Sequence, residues 1–254
     1  MACDIRIGTS GFHYKHWKGP FYPQKMPDAA MLDFYTRHFD TVELNNSFYR
    51  LPTAAAFECW RDATPENFLF AVKASRFITH NKKLKDPENA LDNLLPRTAH
   101  LGKKLGPVLF QLPPKWRVNP ERLRNLLRIL PRDIRYAFEF RELSWMAAEI
   151  CAILREFNAA FCIYELADVA RPSPSQRTSP TCVCTAPKVA NTKEVTVSSN
   201  CRDGHARSNP GQNKSRRSIF ISITTRRATL PQTLCVKRNG LRAHPQARKL
   251  RTSN

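Results

Sequence analysis

Residues 41–73 read TVELNNSFYRLPTAAAFECWRDATPENFLFAVK. A short apolar run (41–44) runs into a polar turn, a helical pattern follows over 53–63, and a second apolar run occupies 68–72. Strands that alternate with helices pair in parallel through right-handed crossovers. Period two sets Glu43 and Asn45 on one face of the first strand, opposite Val42 and Leu44.

The same alternation extends in both directions. Strands are predicted over 5–8, 41–44, 68–72, 108–112, 136–140 and 160–164, and helices over 29–38, 53–63, 91–104, 120–130 and 146–157. Pro120 suits a first helical turn and follows Asn119, a plausible N-cap. Six such units in about 165 residues match the spacing of a TIM (β/α)8 barrel with two units missing. A doubly wound open sheet is the alternative, weakened because 8–11 (GTSG) lacks the GxGxxG order. The predicted fold class is therefore α/β: an incomplete TIM (β/α)8 barrel, six βα units present and the last two strands lost.

Composition changes near Val169. Residues 170–254 hold 17 Lys+Arg against two acids, Glu194 and Asp203, whereas 1–169 hold 24 against 19. Most of the chain's net charge of +20 thus belongs to a Ser-, Thr- and Pro-rich tail. The sequence divides into a barrel domain (1–169) and a basic tail (170–254), expected to be disordered and irregular rather than a nucleic-acid-binding arm. A stretch such as 218–223 can add a strand, but its alternation was not selected for that seam. Otherwise the first and sixth strands are left with open edges. Cys3, Cys59, Cys151 and Cys162 sit among apolar neighbours as buried thiols do, and Cys182-Val-Cys184 has the wrong gap for a zinc pair. No stretch is apolar enough to span a bilayer and no leader pattern opens the chain, so a cytoplasmic location without membrane contact is expected.

Polar residues gather where the strands run out. They include Thr9, Ser10, His13 and Tyr14 after the first, and Glu43 and Asn45 at the second. Lys73 and His80 follow the third, Gln111 ends the fourth, and Glu139 and Arg141 end the fifth. Buried parallel strands force such groups into the C-terminal mouth, where they need partners. Glu139 with Arg141 can equally be a structural ion pair, Glu43 a buried structural carboxylate, Lys73 a snorkelling side chain and His80 a surface residue. Trp17, Phe21, Tyr22, Phe48 and Tyr49 read as wall packing.

Five runs carry a family resemblance: GTSGFHYKHWKGPFYP (8–23), TVELNNSFYRLP (41–52), TPENFLFAVKASRFITH (64–80), LGPVLFQLPPKW (105–116) and FEFRELSW (138–145). In this order the chain resembles the YecE-like proteins, a domain-of-unknown-function family with a TIM-barrel fold, over about residues 4–169. The resemblance implies a mouth built from His13, Tyr14, Glu43, Asn45, Lys73, His80, Gln111, Glu139 and Arg141. It supplies no reaction.

The tail departs from that family as written. Regrouping the codons of 179–187 by one base permits Thr-Tyr-Val-Arg-Leu-His-Gly-Pro, the family's seventh-strand motif. The same frame permits Lys-Tyr-Gln-Gly-Ser-Tyr from 190–196, and an eighth strand with its terminal loop from 218–229. Three motifs in order in one frame point to a single base lost near 169–171, and hence to a chain inactive as written.

For the intact barrel, the residues suggest an anionic small-molecule ligand and an enzyme-like mouth. Glu43 and Glu139 are candidate catalytic acid/base groups, with His80 sharing either role. Lys73 and Arg141 would hold the anion, and His13, Tyr14, Asn45 and Gln111 complete the ligand-binding set. No cofactor is specified; a divalent metal is compatible with these residues, but no HxxxH or clustered pattern requires one. Nucleic-acid binding or phosphodiester chemistry is the alternative, and the domain's charge of +5 lends it little support.

Overall fold

The computed structural model describes residues 4–164 and four short strands beyond them, with side chains described within 6–162. Six parallel strands come from the first part: β1 (Asp4–Ser10), β2 (Thr41–Leu44), β3 (Leu69–Lys73), β4 (Leu105–Gln111), β5 (Tyr136–Glu139) and β6 (Ala160–Tyr164). Each pairs with the next in chain order. The connecting helices are α1 (Met31–Thr36), α3 (Ala54–Asp62), α4 (Glu88–Ala99), α5 (Pro120–Ile129) and α6 (Ala148–Glu156). A short α2 (Asn46–Tyr49) follows β2. Thr53 and Asn119 cap α3 and α5, accepting from Ala56 N at 3.2 Å and Arg122 N at 2.9 Å.

The expectation of two lost strands is corrected. β7 (Thr181–Ala186) pairs in parallel with β6, and β9 (Ser218–Ile223) pairs with both β7 and β1, so the sheet is a closed eight-stranded barrel. The predicted open edges of the first and sixth strands are therefore occupied. The segments TCVCTA and SIFISI are rich in β-branched and small apolar residues, and a backbone ladder needs no particular side chain to form. β8 (Glu194–Val197) and β10 (Cys235–Arg238) form a separate parallel pair. The rest of the expected irregular tail lies outside the described residues.

Strand parity divides the core. Val42, Leu44, Phe70 and Val72 pack outward with Met31, Tyr35 and Phe57 from the helices. Phe110, Phe138 and Phe140 do the same against Leu123, Leu126 and Ile150. Leu109, Ala137, Ala160 and Cys162, with Leu69, form a separate cluster on the opposite, inward face. Aromatic rings stiffen one outer wall: Phe110 stacks on Phe138 at 5.1 Å and Phe140 on Trp145 at 4.9 Å. Trp145 in turn donates from Nε1 to Trp116 O at 2.7 Å. Strands crowd closely near the first seam, where a Cβ on Gly8 would meet Thr41 O at 1.9 Å.

Tyr35 fastens α1 to this sheet. Its fully buried hydroxyl accepts from Thr9 N at 2.8 Å and donates to Thr41 O at 3.0 Å, bridging β1 and β2. Burial pushes that hydroxyl far above the ordinary tyrosine range, so it stays protonated. Tyr35→Phe should lower unfolding stability by about 1–3 kcal/mol, because two buried backbone groups lose a partner. A urea titration should show a lower midpoint with unchanged slope; an unchanged midpoint would rule this hydroxyl out as a fastening point.

Candidate functional site

Parity and register together bring the polar residues to one end of the barrel. Ser10, the last residue of β1, stands level with Glu43 of β2, and Gln111 of β4 stands level with Glu139 of β5. All four follow the inward parity, so they meet across adjacent strands at the C-terminal mouth.

The first group centres on Glu43, a carboxylate only 3% exposed. Ser10 Oγ donates to Glu43 Oε1 at 2.9 Å and accepts from Asn45 Nδ2 at 2.7 Å. Gly11, held at φ +84, turns the chain so that its N–H reaches Glu43 O at 2.8 Å. Tyr14 closes the turn by donating from its hydroxyl to Ser10 O at 2.5 Å. Burial raises the Tyr14 hydroxyl above its ordinary range and the Glu43 charge adds to this, while a hydrogen bond with Asn45 opposes it. Lys73 Nζ lies 3.7 Å from Glu43 Oε1 and 5.3 Å from the Phe48 ring centroid. At that separation the ammonium neutralises the carboxylate by charge rather than by a direct hydrogen bond.

The second group centres on Glu139. Its Oε1 accepts from Gln111 Nε2 and from Arg141 Nε, each at 2.7 Å, and the carboxylate is 2% exposed. Leu112 N reaches Glu139 O at 2.8 Å, fixing the strand end as well. Both buried carboxylates therefore have a cation and a neutral donor, as a buried charge requires.

His80 lies between the groups electrostatically. It sits in a π-helical turn, Phe77–Asn81, with Nδ1 2.9 Å from Thr79 Oγ1 and its ring edge-on to Phe48 at 5.1 Å. Burial depresses its pKa first, and the cations of Arg76, Arg141 and Lys73 depress it further, opposed by Glu139. Three left-handed, non-glycine residues follow at Lys83, Leu84 and Asp86, a strained stretch of the kind that clusters at binding loops.

Of the residues singled out from sequence, Tyr14, Glu43, Asn45 and Lys73 come together in the first group and Gln111, Glu139 and Arg141 in the second. His13 joins neither by a direct contact. It is half-exposed and faces Asp28, with Nε2 3.3 Å from Oδ2. Thr9 turns outward to Tyr35, while Ser10, absent from the chosen set, is the hub of the first group. Its parity with Gly8 is the signal that the sequence offers; its level with Glu43 comes from the strand register. Phe48 is wall packing as expected, and it also carries the Lys73 cation. Among the described residues, no three His, Cys, Asp or Glu side chains gather to hold a metal ion. No helix among them is long and apolar enough to cross a membrane.

An α/β barrel with two buried carboxylate–cation groups at the C-terminal ends of its strands is a general scaffold rather than a reaction. The chain belongs to the family described as "Protein of unknown function DUF72", whose model matches residues 6–208. It is 34% identical over 134 residues to UPF0759 protein YunF of Bacillus subtilis (strain 168), covering 50% of this chain and 48% of that one. It is 31% identical over 119 residues to UPF0759 protein YecE of Escherichia coli (strain K12), covering 46% and 43%. These matches bear out the YecE-like resemblance, and the chain spans about half the length of the curated relatives it matches. A DUF72 family protein from Thermotoga maritima MSB8 superposes with TM-score 0.66 at 23% identity, covering 87% of this chain and 92% of that one. One from Enterococcus faecalis V583 gives 0.59 at 18%, covering 88% and 90%. At these identities the structures speak for the fold alone.

The His80 titration tests this geometry. Its midpoint by NMR should fall below the ordinary value of about 6.5. Because the folded pKa is depressed, the stability it contributes is complete above the unfolded value and is lost as pH falls through the folded one. Arg141→Gln should raise the midpoint, by removing a cation and leaving Glu139 less neutralised. An unmoved midpoint would place His80 away from both.

Proposed function

We propose that the barrel mouth binds an anionic small molecule, held by Lys73 and Arg141 over the two buried carboxylates. The observation that carries this reading is that two cations stand at the same end of the barrel, each beside a buried carboxylate. Lys73 Nζ stands outside hydrogen-bond reach of Glu43, so an incoming anion meets an ammonium oriented by charge. Ser10 and Gln111 fix the two carboxylates, Asn45 and Tyr14 hold Ser10, and Tyr14, Asn45 and Gln111 border the ligand. Glu43 and Glu139 are the proton acceptors available to a bound substrate. His80, favoured as the neutral imidazole, shares that role. His13 lies in the loop after β1, facing Asp28 rather than either carboxylate.

Titration calorimetry with inorganic pyrophosphate tests this. Lys73→Met should weaken binding by about tenfold or more, the worth of one charged hydrogen bond. Because Lys73→Met leaves Glu43 buried without its cation, the paired variant Lys73→Met with Glu43→Gln removes both charges and separates folding from binding. Parent-like affinity in both variants would overturn the assignment.

We also read residues 170–254 as the out-of-frame product of a barrel half, which makes this copy inactive as written. Support comes from the order of the three regrouped motifs. Two of them span the β7 and β9 segments that occupy the seam. A strand in another frame supplies backbone pairing without encoding the regrouped motifs. Inserting one base among codons 169–171 should raise the thermal midpoint and the pyrophosphate affinity together. A restored frame that unfolds at lower temperature, or encodes other motifs, would sink the reading.

A further inference from the structure

The barrel's modest charge conceals a strong asymmetry. The connections that leave the C-terminal ends of β1–β5 (11–30, 45–53, 74–87, 112–119 and 140–147) hold eleven Lys+Arg against three Asp+Glu. The five returning connections hold five against three, and the five long helices hold six against eight. The excess around the mouth is therefore larger than the domain's own +5, and the remainder is slightly acidic. Two of the three rim acids are already engaged: Asp28 accepts from Lys18 Nζ at 2.8 Å, and Glu142 accepts from Ser144 N at 3.0 Å. Arg50, Arg76, Lys82, Lys83, Lys85 and Lys115 are all exposed.

Apolar rings stand among these cations. Among the described residues the large exposed hydrophobic side chains are Tyr49, Phe77, Ile129 and Leu143, and three of the four lie in rim loops. Tyr49 is 79% exposed, and Phe77 48% with Lys82 Nζ 5.7 Å from its ring centroid. From Tyr49 a chain of rings leads inward. Tyr49 meets Phe48 at 5.0 Å, Phe48 meets His80 at 5.1 Å, and Phe48 lies under Lys73. A cationic rim with interleaved exposed rings is suited to a ligand that alternates phosphates with flat apolar faces.

We infer that this rim binds single-stranded nucleic acid, its phosphates on the basic loops and unstacked bases on Tyr49 and Phe77, so that one phosphate reaches Lys73 in the mouth. The single strand is favoured over a duplex because exposed aromatic rings such as Tyr49 and Phe77 stack on unpaired bases, and a duplex keeps its bases stacked on one another. The inference rests on the anion-binding reading of the mouth and goes beyond it, from a small anion to a polymer whose phosphates extend over the rim. It also revises the weight given to charge: the domain's +5 is the sum of a basic rim and a slightly acidic remainder.

Fluorescence anisotropy of the full chain with a labelled thymidine oligomer of about ten nucleotides tests it. Each phosphate contact to single-stranded nucleic acid contributes about 0.7 to the slope of log K against log salt. Replacing Lys82, Lys83 and Lys85 by Gln should therefore lower that slope by about 2. Tyr49→Ala with Phe77→Ala should weaken binding at least about tenfold at unchanged slope, since each base stack is lost without loss of charge. Replacing Arg216, Arg217, Arg226 and Arg227 by Gln gauges the tail; binding abolished by that set while the rim variants behave as the parent overturns the inference. So does equal competition by a duplex of the same length or by polyglutamate. Loss of the rim effects with pyrophosphate binding at Lys73 intact overturns the rim alone; loss of both overturns the mouth reading as well.

Discussion

A parallel sheet closed on itself gives every strand two hydrogen-bonded neighbours, and that closure fixes which side chains face inward along the described strands. Here the seam between β6 and β1 is filled by β7 and β9. Once closed, β2 cannot slip by one residue without moving Val42 and Leu44 off the helices and Glu43 among them. The same constraint acts on β5, where Phe138 and Phe140 lock the outer wall and so hold Glu139 to the mouth. Packing on one face of each strand thereby aims the chemistry on the other.

Burial of Glu43 and Glu139 is tolerable only because each has a cation and a neutral donor within reach. This makes the mouth pre-ordered: Ser10, Asn45 and Gln111 hold the carboxylates, and the carboxylates hold Lys73 and Arg141. The two groups differ in tightness. Arg141 is hydrogen-bonded to its carboxylate, whereas Lys73 is only near its own. Against this fixed floor stands a loop of another character, the stretch from Arg76 to Asp86, with a π-helical turn and three left-handed residues. Its backbone strain and its four basic residues occur together, beside the histidine that feels both groups.

Much of the barrel half was legible because its signals are local. The strands at 41–44 and 160–164 coincide with the predicted ones, and Asn119-Pro120 starts α5 through a capping bond that needs nothing from elsewhere. Period two also placed Glu43 with Asn45 and Glu139 with Arg141. Where no period applies, the reading weakened. His13 lies in an irregular loop and turned to Asp28, and the π-helical turn around His80 has no pattern to announce it. Thr9 and Ser10 are neighbours of similar chemistry, and only the strand's orientation toward Tyr35 or Glu43 tells them apart.

The sequence by itself determined the alternation of strand and helix, the parity of each strand and hence the inventory of polar residues at the mouth, since these follow from side-chain periodicity along a single segment. Only the tertiary structure decided how the seam is closed, because a strand ladder is formed by backbone groups, and TCVCTA and SIFISI supply them without a pattern that names their neighbours. It alone decided that Lys73 serves Glu43 and that Gln111 serves Glu139, a matter of register between strands about thirty residues apart. It also turned a small net charge into a polar molecule, because charge along the chain carries no direction until the loops after the strands are gathered at one end.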